Sequence, residues 1–123
     1  MGKRILVVDD SPSIRQQVTA ALQGGGFEIL EAGDGVEAFE TLAAQQDIAA
    51  VICDVNMPRM NGLELLEKLQ ASGAMARLAV VMLTTEAQPA LLQRAKAAGA
   101  KGWIVKPFKA PLLLAAVQKM TGK

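Results

Sequence analysis

The stretch AAVICDVNMPRMNGLELL, residues 49–66, decides the fold. It opens on a short, wholly apolar run, Ala49 to Cys53, of the kind that forms a strand buried on both faces. Asp54 ends that run. A polar turn containing Pro58 follows, and then Asn61 with Glu64 three residues on, the spacing of a capping box with Asn in the cap role. Leu63, Leu65, Leu66 and Leu69 then recur at helical spacing. The segment therefore reads as strand, turn, helix.

The same grammar repeats in both directions. Apolar runs Ile5 to Val8, Leu78 to Leu83 and Trp103 to Val105 read as further buried strands, and Phe27 to Leu30 as a weaker edge strand. Between them lie amphipathic stripes: Ile14, Val18, Ala21 and Leu22; Val36, Phe39 and Leu42; Leu91, Leu92 and Ala95; Leu113, Ala116, Val117 and Met120. Ser11-Pro12 predicts a helix start, a capping side chain followed by proline at the first helical position. Asp34 with Glu37 predicts a second capping box. Gly24-Gly25-Gly26 and Gly99 predict helix ends. Five strand–helix units with short loops imply an α/β fold, a five-stranded parallel sheet with helices on both faces. Five strands suggest the order 2-1-3-4-5, one of the common doubly wound orders and adopted here by analogy, with ligands at the carboxyl ends of the strands beside the switch in order.

Bulk properties agree. A length of 123 residues suits one core, and 51% hydrophobic residues allow it to pack. Thirteen basic and twelve acidic residues are close to balance, which argues against nucleic acid or an anionic membrane as the partner. The single cysteine, Cys53, allows no internal disulfide and is expected to be a buried core thiol. The apolar run near the N-terminus is cut off after Val8 by Asp9 and Asp10, so no signal peptide is expected. No apolar run approaches the roughly 20 residues that span a bilayer, so a soluble, cytoplasmic protein is expected.

The polar residues at the strand ends carry the chemistry. Strand 1 ends in Asp9-Asp10, strand 3 in Asp54, strand 4 in Thr84-Thr85 and strand 5 in Lys106-Pro107. Of five aspartates, three fall at the two neighbouring strand ends that flank the switch point. Each pair of carboxylates at about 5 Å repels by roughly 3 kcal/mol at an effective dielectric near 20. A divalent cation such as Mg²⁺ relieves that repulsion and leaves room for a phosphate. Lys106 brings an ammonium and Thr84 a hydroxyl to the same rim, both suited to phosphoryl oxygens. The set points to phosphoryl transfer with Asp54 as nucleophile. Each piece alone has a plain structural explanation, as a cap, a loop acid or a solvated lysine. Those explanations would have to hold together at four strand ends of one sheet edge.

ILVVDDSPSIR, VICDVNMPRMNGLELL, VVMLTTEA and GWIVKPF, in this order and spacing, resemble the bacterial response-regulator receiver domains, nearest in layout to the stand-alone chemotaxis regulators. The resemblance covers essentially the whole chain and implies a single receiver domain over residues 1–123 with the flavodoxin-like fold. It implies that Asp54 is the phospho-accepting residue, that Asp10 ligates Mg²⁺ directly, that Asp9 holds it mainly through water, and that Asn56 contributes its main-chain carbonyl. It assigns Thr84 as the switch hydroxyl and Lys106 as the family's lysine, followed by a peptide bond to Pro107 that is usually cis. Trp103 falls where the family places a switch aromatic, usually Tyr or Phe. The implied partners are a sensor histidine kinase and a downstream target protein on the face formed by helix 4, strand 5 and helix 5, with the chain a monomer. Pro89, Leu92 and Ala116 on those helices depart from the motor-binding pattern of the chemotaxis members.

Two other readings are weaker. A flavodoxin-type electron carrier shares the strand order, but Asp9-Asp10 would repel the flavin phosphate and aromatic residues are scarce. A phosphorylation-independent docking scaffold usually lacks one of the acids or the lysine, and all are present here.

Overall fold

The computed structural model describes residues 3–57, 59–85 and 88–122; Pro58 of the turn and the Glu86-Ala87 end of the third motif lie outside the described residues. Strands β1 (Arg4–Val8), β2 (Glu28–Ala32), β3 (Ile48–Cys53), β4 (Ala79–Thr84) and β5 (Gly102–Val105) alternate with helices α1 (Pro12–Gln23), α2 (Gly35–Ala44), α3 (Gly62–Ala71), α4 (Pro89–Ala97) and α5 (Ala110–Thr121). A 3₁₀ turn, Ala74–Ala76, lies between α3 and β4. The sheet is parallel throughout, in the order β2-β1-β3-β4-β5. This is the expected doubly wound, flavodoxin-like architecture.

Alternation along the strands divides the core into two layers. Leu6, Val8, Val51, Cys53, Val80 and Met82 pack with Ala38 and Leu42 of α2, the leucines of α3 and Ala95 of α4. Ile5, Val7, Ala50, Ile52 and Leu83 pack with Val18 and Leu22 of α1 and Leu113 and Val117 of α5. The residues of β3 and β4 are almost all buried, which explains their unbroken apolar runs. The edges differ from the expectation. β5 is only half-buried and ends in Val105 at 45% exposure, because it is an edge strand of the sheet. β2 spans Glu28–Ala32 rather than Phe27–Leu30, with Glu28 and Glu31 exposed. At an edge, polar residues can occupy outward positions, so the apolar run understates the strand.

Helix starts follow the sequence signals with one correction. Ser11 Oγ accepts from Ile14 N (3.3 Å) with Pro12 opening α1. Asn61 and Glu64 form the reciprocal box in full: Glu64 N donates to Asn61 Oδ1 (2.8 Å) and Asn61 N to Glu64 Oε1 (3.0 Å). At α2, Asp34 Oδ1 accepts from Glu37 N (2.9 Å), but the Glu37 carboxylate takes Gly33 N (3.3 Å) instead of the cap's own N–H. The Asp34 backbone is extended there, at φ −161°. Gly26 and Gly99 hold left-handed φ values of 79° and 101° just beyond α1 and α4, as their positions suggested.

Candidate functional site

Strand pairing places the acids. Asp9 and Asp54 each follow the last residue of a strand, and Val8 pairs with Cys53, so the two carboxylates leave neighbouring strands side by side. Asp54 N donates to Val8 O (3.0 Å) and Asp9 N to Ala32 O (3.1 Å), which extends the ladder one step and fixes both residues. Asp9, Asp10 and Asp54 each present a carboxylate oxygen within 4.8 Å of the others. Asp9 is 3% and Asp54 8% exposed, while Asp10 is exposed to solvent.

Lys106 enters from the far side. Its main-chain N–H donates to Thr84 O (2.8 Å), carrying the β4–β5 pairing past the end of β5. Its ammonium lies 2.9 Å from Asp9 Oδ2 and 3.5 Å from Asp54 Oδ2. The Lys106–Pro107 peptide is cis, as the resemblance implied. Without a cation, then, the lysine relieves part of the repulsion among the acids. Both Asp9 oxygens have a partner, because the other one accepts from Ser11 N (2.9 Å). Burial raises the Asp54 carboxyl above its ordinary value; Lys106 opposes this, and the Asp9 charge adds to it.

Thr84 closes β4 with its side chain wholly buried. Asn56 is exposed in the turn two residues beyond Asp54. Trp103 stands apart, three residues before Lys106. It packs on the α2–α3–α4 side of the sheet and lines a groove of about 260 Å³ with Leu92, Ala95, Lys96 and Ala100. Its indole N–H is buried and finds no hydrogen-bond partner among the described residues.

The structure adds residues that the sequence did not single out for the site. Arg15 Nη1 donates to Asp9 O (2.6 Å) while its Nε bonds Glu31 Oε1 (2.9 Å), pinning the Asp9-Asp10 peptide to β2. Nothing in the sequence marks this contact, since it depends on α1 lying against the end of β2. Gly62 has a signal in hindsight. A Cβ there would sit 2.1 Å from Asp54 O, so only glycine lets α3 start directly beneath Asp54. Gly62 N also donates to Val55 O (2.9 Å), closing the turn. Cys53 is 1% exposed, its thiol lies 3.3 Å from Asp54 O, and burial pushes its pKa far up.

The chemistry of the donors suits a small divalent cation. Three carboxylate oxygens share one opening, two of them on buried residues, and Mg²⁺ takes one or two such ligands while keeping waters and a phosphate oxygen.

Comparison with known proteins agrees with this geometry. The family model described as the response regulator receiver domain matches residues 5–118. Chemotaxis protein CheY1 of Helicobacter pylori is 40% identical over 120 residues, covering 97% of each chain. The chemotaxis protein CheY homolog of Campylobacter jejuni is 38% identical over 97% of this chain and 92% of its own. Among solved structures, chemotaxis protein CheY4 of Vibrio cholerae superposes with a TM-score of 0.89 at 40% identity, over 98% of this chain and 99% of that one. A parallel sheet in the order 2-1-3-4-5, an acid cluster at the switch point and relatives matched end to end together place the chain in the response regulator receiver family, as a CheY-like receiver domain of two-component signalling.

Proposed function

We propose that residues 1–123 act as a single receiver unit that accepts a phosphoryl group on Asp54, with Mg²⁺ held by Asp10, Asp54 and the main-chain carbonyl of Asn56, and by Asp9 through water. The observation that carries this reading is the position of Asp54, buried between the Asp9-Asp10 pair and the Lys106 ammonium. The engagement of both Asp9 oxygens supports its assignment as the less direct ligand.

In the transfer, an Asp54 carboxylate oxygen bonds to phosphorus. The bond from phosphorus to the donor's leaving atom, an imidazole nitrogen of a histidine kinase or the carboxylate oxygen of a small acyl phosphate, breaks with its electron pair. The attacking form is the ionised Asp54 carboxylate. The cation, when bound, neutralises phosphoryl oxygen charge. Lys106, already 3.5 Å from Asp54 Oδ2, needs only a small swing from Asp9 to meet a phosphoryl oxygen. Thr84 then hydrogen-bonds another and shifts the face of α4, β5 and α5, with Trp103 responding, toward binding a downstream protein. The same residues catalyse hydrolysis of the adduct. The reading places the chain in the cytoplasm as a monomer, with a sensor histidine kinase as donor.

The test is phosphorylation with acetyl phosphate followed by intact mass spectrometry. One phosphoryl group should appear only with Mg²⁺ and disappear in Asp54→Asn. An undiminished adduct in that variant refutes the assignment.

A further inference from the structure

The turn between β3 and α3 is tied down by a residue outside the acid cluster. Arg59 holds a left-handed φ of 64°, the only non-glycine among the described residues to do so. Left-handed backbone disfavours any side chain with a Cβ, so a non-glycine there points to a compensating contact. The contact is a fork onto Asp34: Nε to Oδ2 at 2.8 Å and Nη2 to Oδ1 at 3.2 Å. The Asp34 side chain is only 12% exposed although that of Arg59 is 60% exposed. Arg59 is what most lowers the Asp34 carboxyl below its ordinary value. Next to it, Gly35 N donates to Met60 O (3.1 Å), and Met60 fills the space where Gly35 lacks a Cβ. The turn is thus fastened to the N-terminus of α2 at Arg59 and Met60, to itself at Val55 and Gly62, and to β1 through Asp54 N. Asn56 lies on the short span between those fastenings.

We propose that Arg59, through its fork on Asp34, is a positioning residue for the divalent-cation site, holding the Asn56 turn in register with the acids. This rests on the cation reading above. Asp34 and Arg59 touch neither cation nor phosphoryl group; they act through the backbone they fix.

The test is calorimetric titration of Mg²⁺ into chelator-stripped protein, comparing wild type with Asp34→Asn, Arg59→Gln, the double variant and Arg59→Lys. Asparagine caps helices as well as aspartate, so Asp34→Asn removes the charge while keeping the α2 cap. A thermal melt of each variant establishes that it is folded at the titration temperature. Positioning predicts that both single variants weaken Mg²⁺ binding, on the order of three- to ten-fold, that the double variant is no weaker than the worse single, and that Arg59→Lys recovers part of the loss. Distant electrostatics predicts the opposite sign for one variant: removing the Arg59 charge would tighten cation binding, whereas removing the Asp34 charge would weaken it. That split, or unchanged affinity in both, overturns the proposal. Absence of Mg²⁺ binding in wild type overturns the cation reading and this proposal with it. Binding present in wild type, lost in Asp54→Asn and unaltered in the Arg59 and Asp34 variants overturns the positioning role alone.

Discussion

Replacing Asp54 by asparagine should stabilise the cation-free protein. The Asp54 carboxylate meets two others within 4.8 Å and one ammonium at 3.5 Å. At an effective dielectric near 20, each repulsion is about 3.5 kcal/mol and the attraction about 4.7 kcal/mol, leaving a net repulsion of about 2 kcal/mol. The exposure of Asp10 reduces its share, while the burial of Asp54 adds to the cost of its charge. A gain of about 1–2 kcal/mol is expected for Asp54→Asn, or about 4–8 °C in melting temperature for a chain of this length. Lys106 keeps its partner in Asp9, so the variant strands no cation. The assay is thermal unfolding by circular dichroism near pH 7 in chelator. Mg²⁺ at ten times its Kd should then raise wild type by about 1.4 kcal/mol and the variant by less.

The pH dependence has a definite sign. Asp54 titrates higher in the folded chain than in the unfolded one, so the folded chain keeps a proton that the unfolded chain has released. Its destabilising effect is complete above the folded value and fades as pH falls through it. The gap between variant and wild type should therefore narrow as pH drops toward the ordinary carboxylate value of 3.8. A variant that melts lower than wild type in chelator, or a gap that widens on acidification, refutes this electrostatic account.

Three further outcomes are expected. Gly62→Ala forces a methyl to 2.1 Å from Asp54 O, so it should cost about 3 kcal/mol or more in chemical unfolding and slow acetyl phosphate labelling; full stability would mean the turn relaxes freely. Thr84→Ala should still take up phosphoryl groups but lose the spectral changes at α4 and β5 in an NMR titration with beryllofluoride and Mg²⁺; equal changes in both proteins would remove Thr84 from the relay. Trp103 is the sole tryptophan in a chain without tyrosine, so its emission should shift when beryllofluoride binds wild type and stay fixed in Asp54→Asn. Its unpaired, buried indole N–H favours a rotamer change that finds a partner, and an unmoved spectrum on confirmed binding would detach Trp103 from the switch.

What the sequence made legible was whatever depends on local pattern. The parallel β1–β3–β4 core announced itself through apolar runs, because strands buried on both faces tolerate little else. The acid cluster followed, since the sheet's topology brings the ends of β1 and β3 together whatever lies between them. The edges were less legible, because β2 and β5 are covered on one side only and their composition relaxes. Least legible were contacts between groups far apart in the chain. The Lys106 ammonium sits closer to Asp9 than to Asp54, Arg15 holds the Asp9 carbonyl, and Glu37 caps Gly33 instead of Asp34. Each depends on side-chain reach across the finished fold, which periodicity and spacing do not encode.

The position of Cys53 bears on how long a phosphoryl group would last on Asp54. An acyl phosphate is a mixed anhydride, and a thiolate one residue away would be its nearest competitor for the acyl carbon, ending in a thioester and free phosphate. Three features of the chain disarm that reaction. The Cys53 side chain packs among Val51, Val55 and Leu66 on the far side of the sheet, while the Asp54 carboxylate opens toward Lys106 and Asp9. Burial keeps the sulfur protonated across the physiological range, and only the thiolate attacks. The hydrogen on that sulfur points to the Asp54 main-chain oxygen. Were Asp54 phosphorylated, water in the cleft would then be left as the nucleophile that removes the group, so its lifetime would be set by the groups around the cleft and not by the redox state of Cys53.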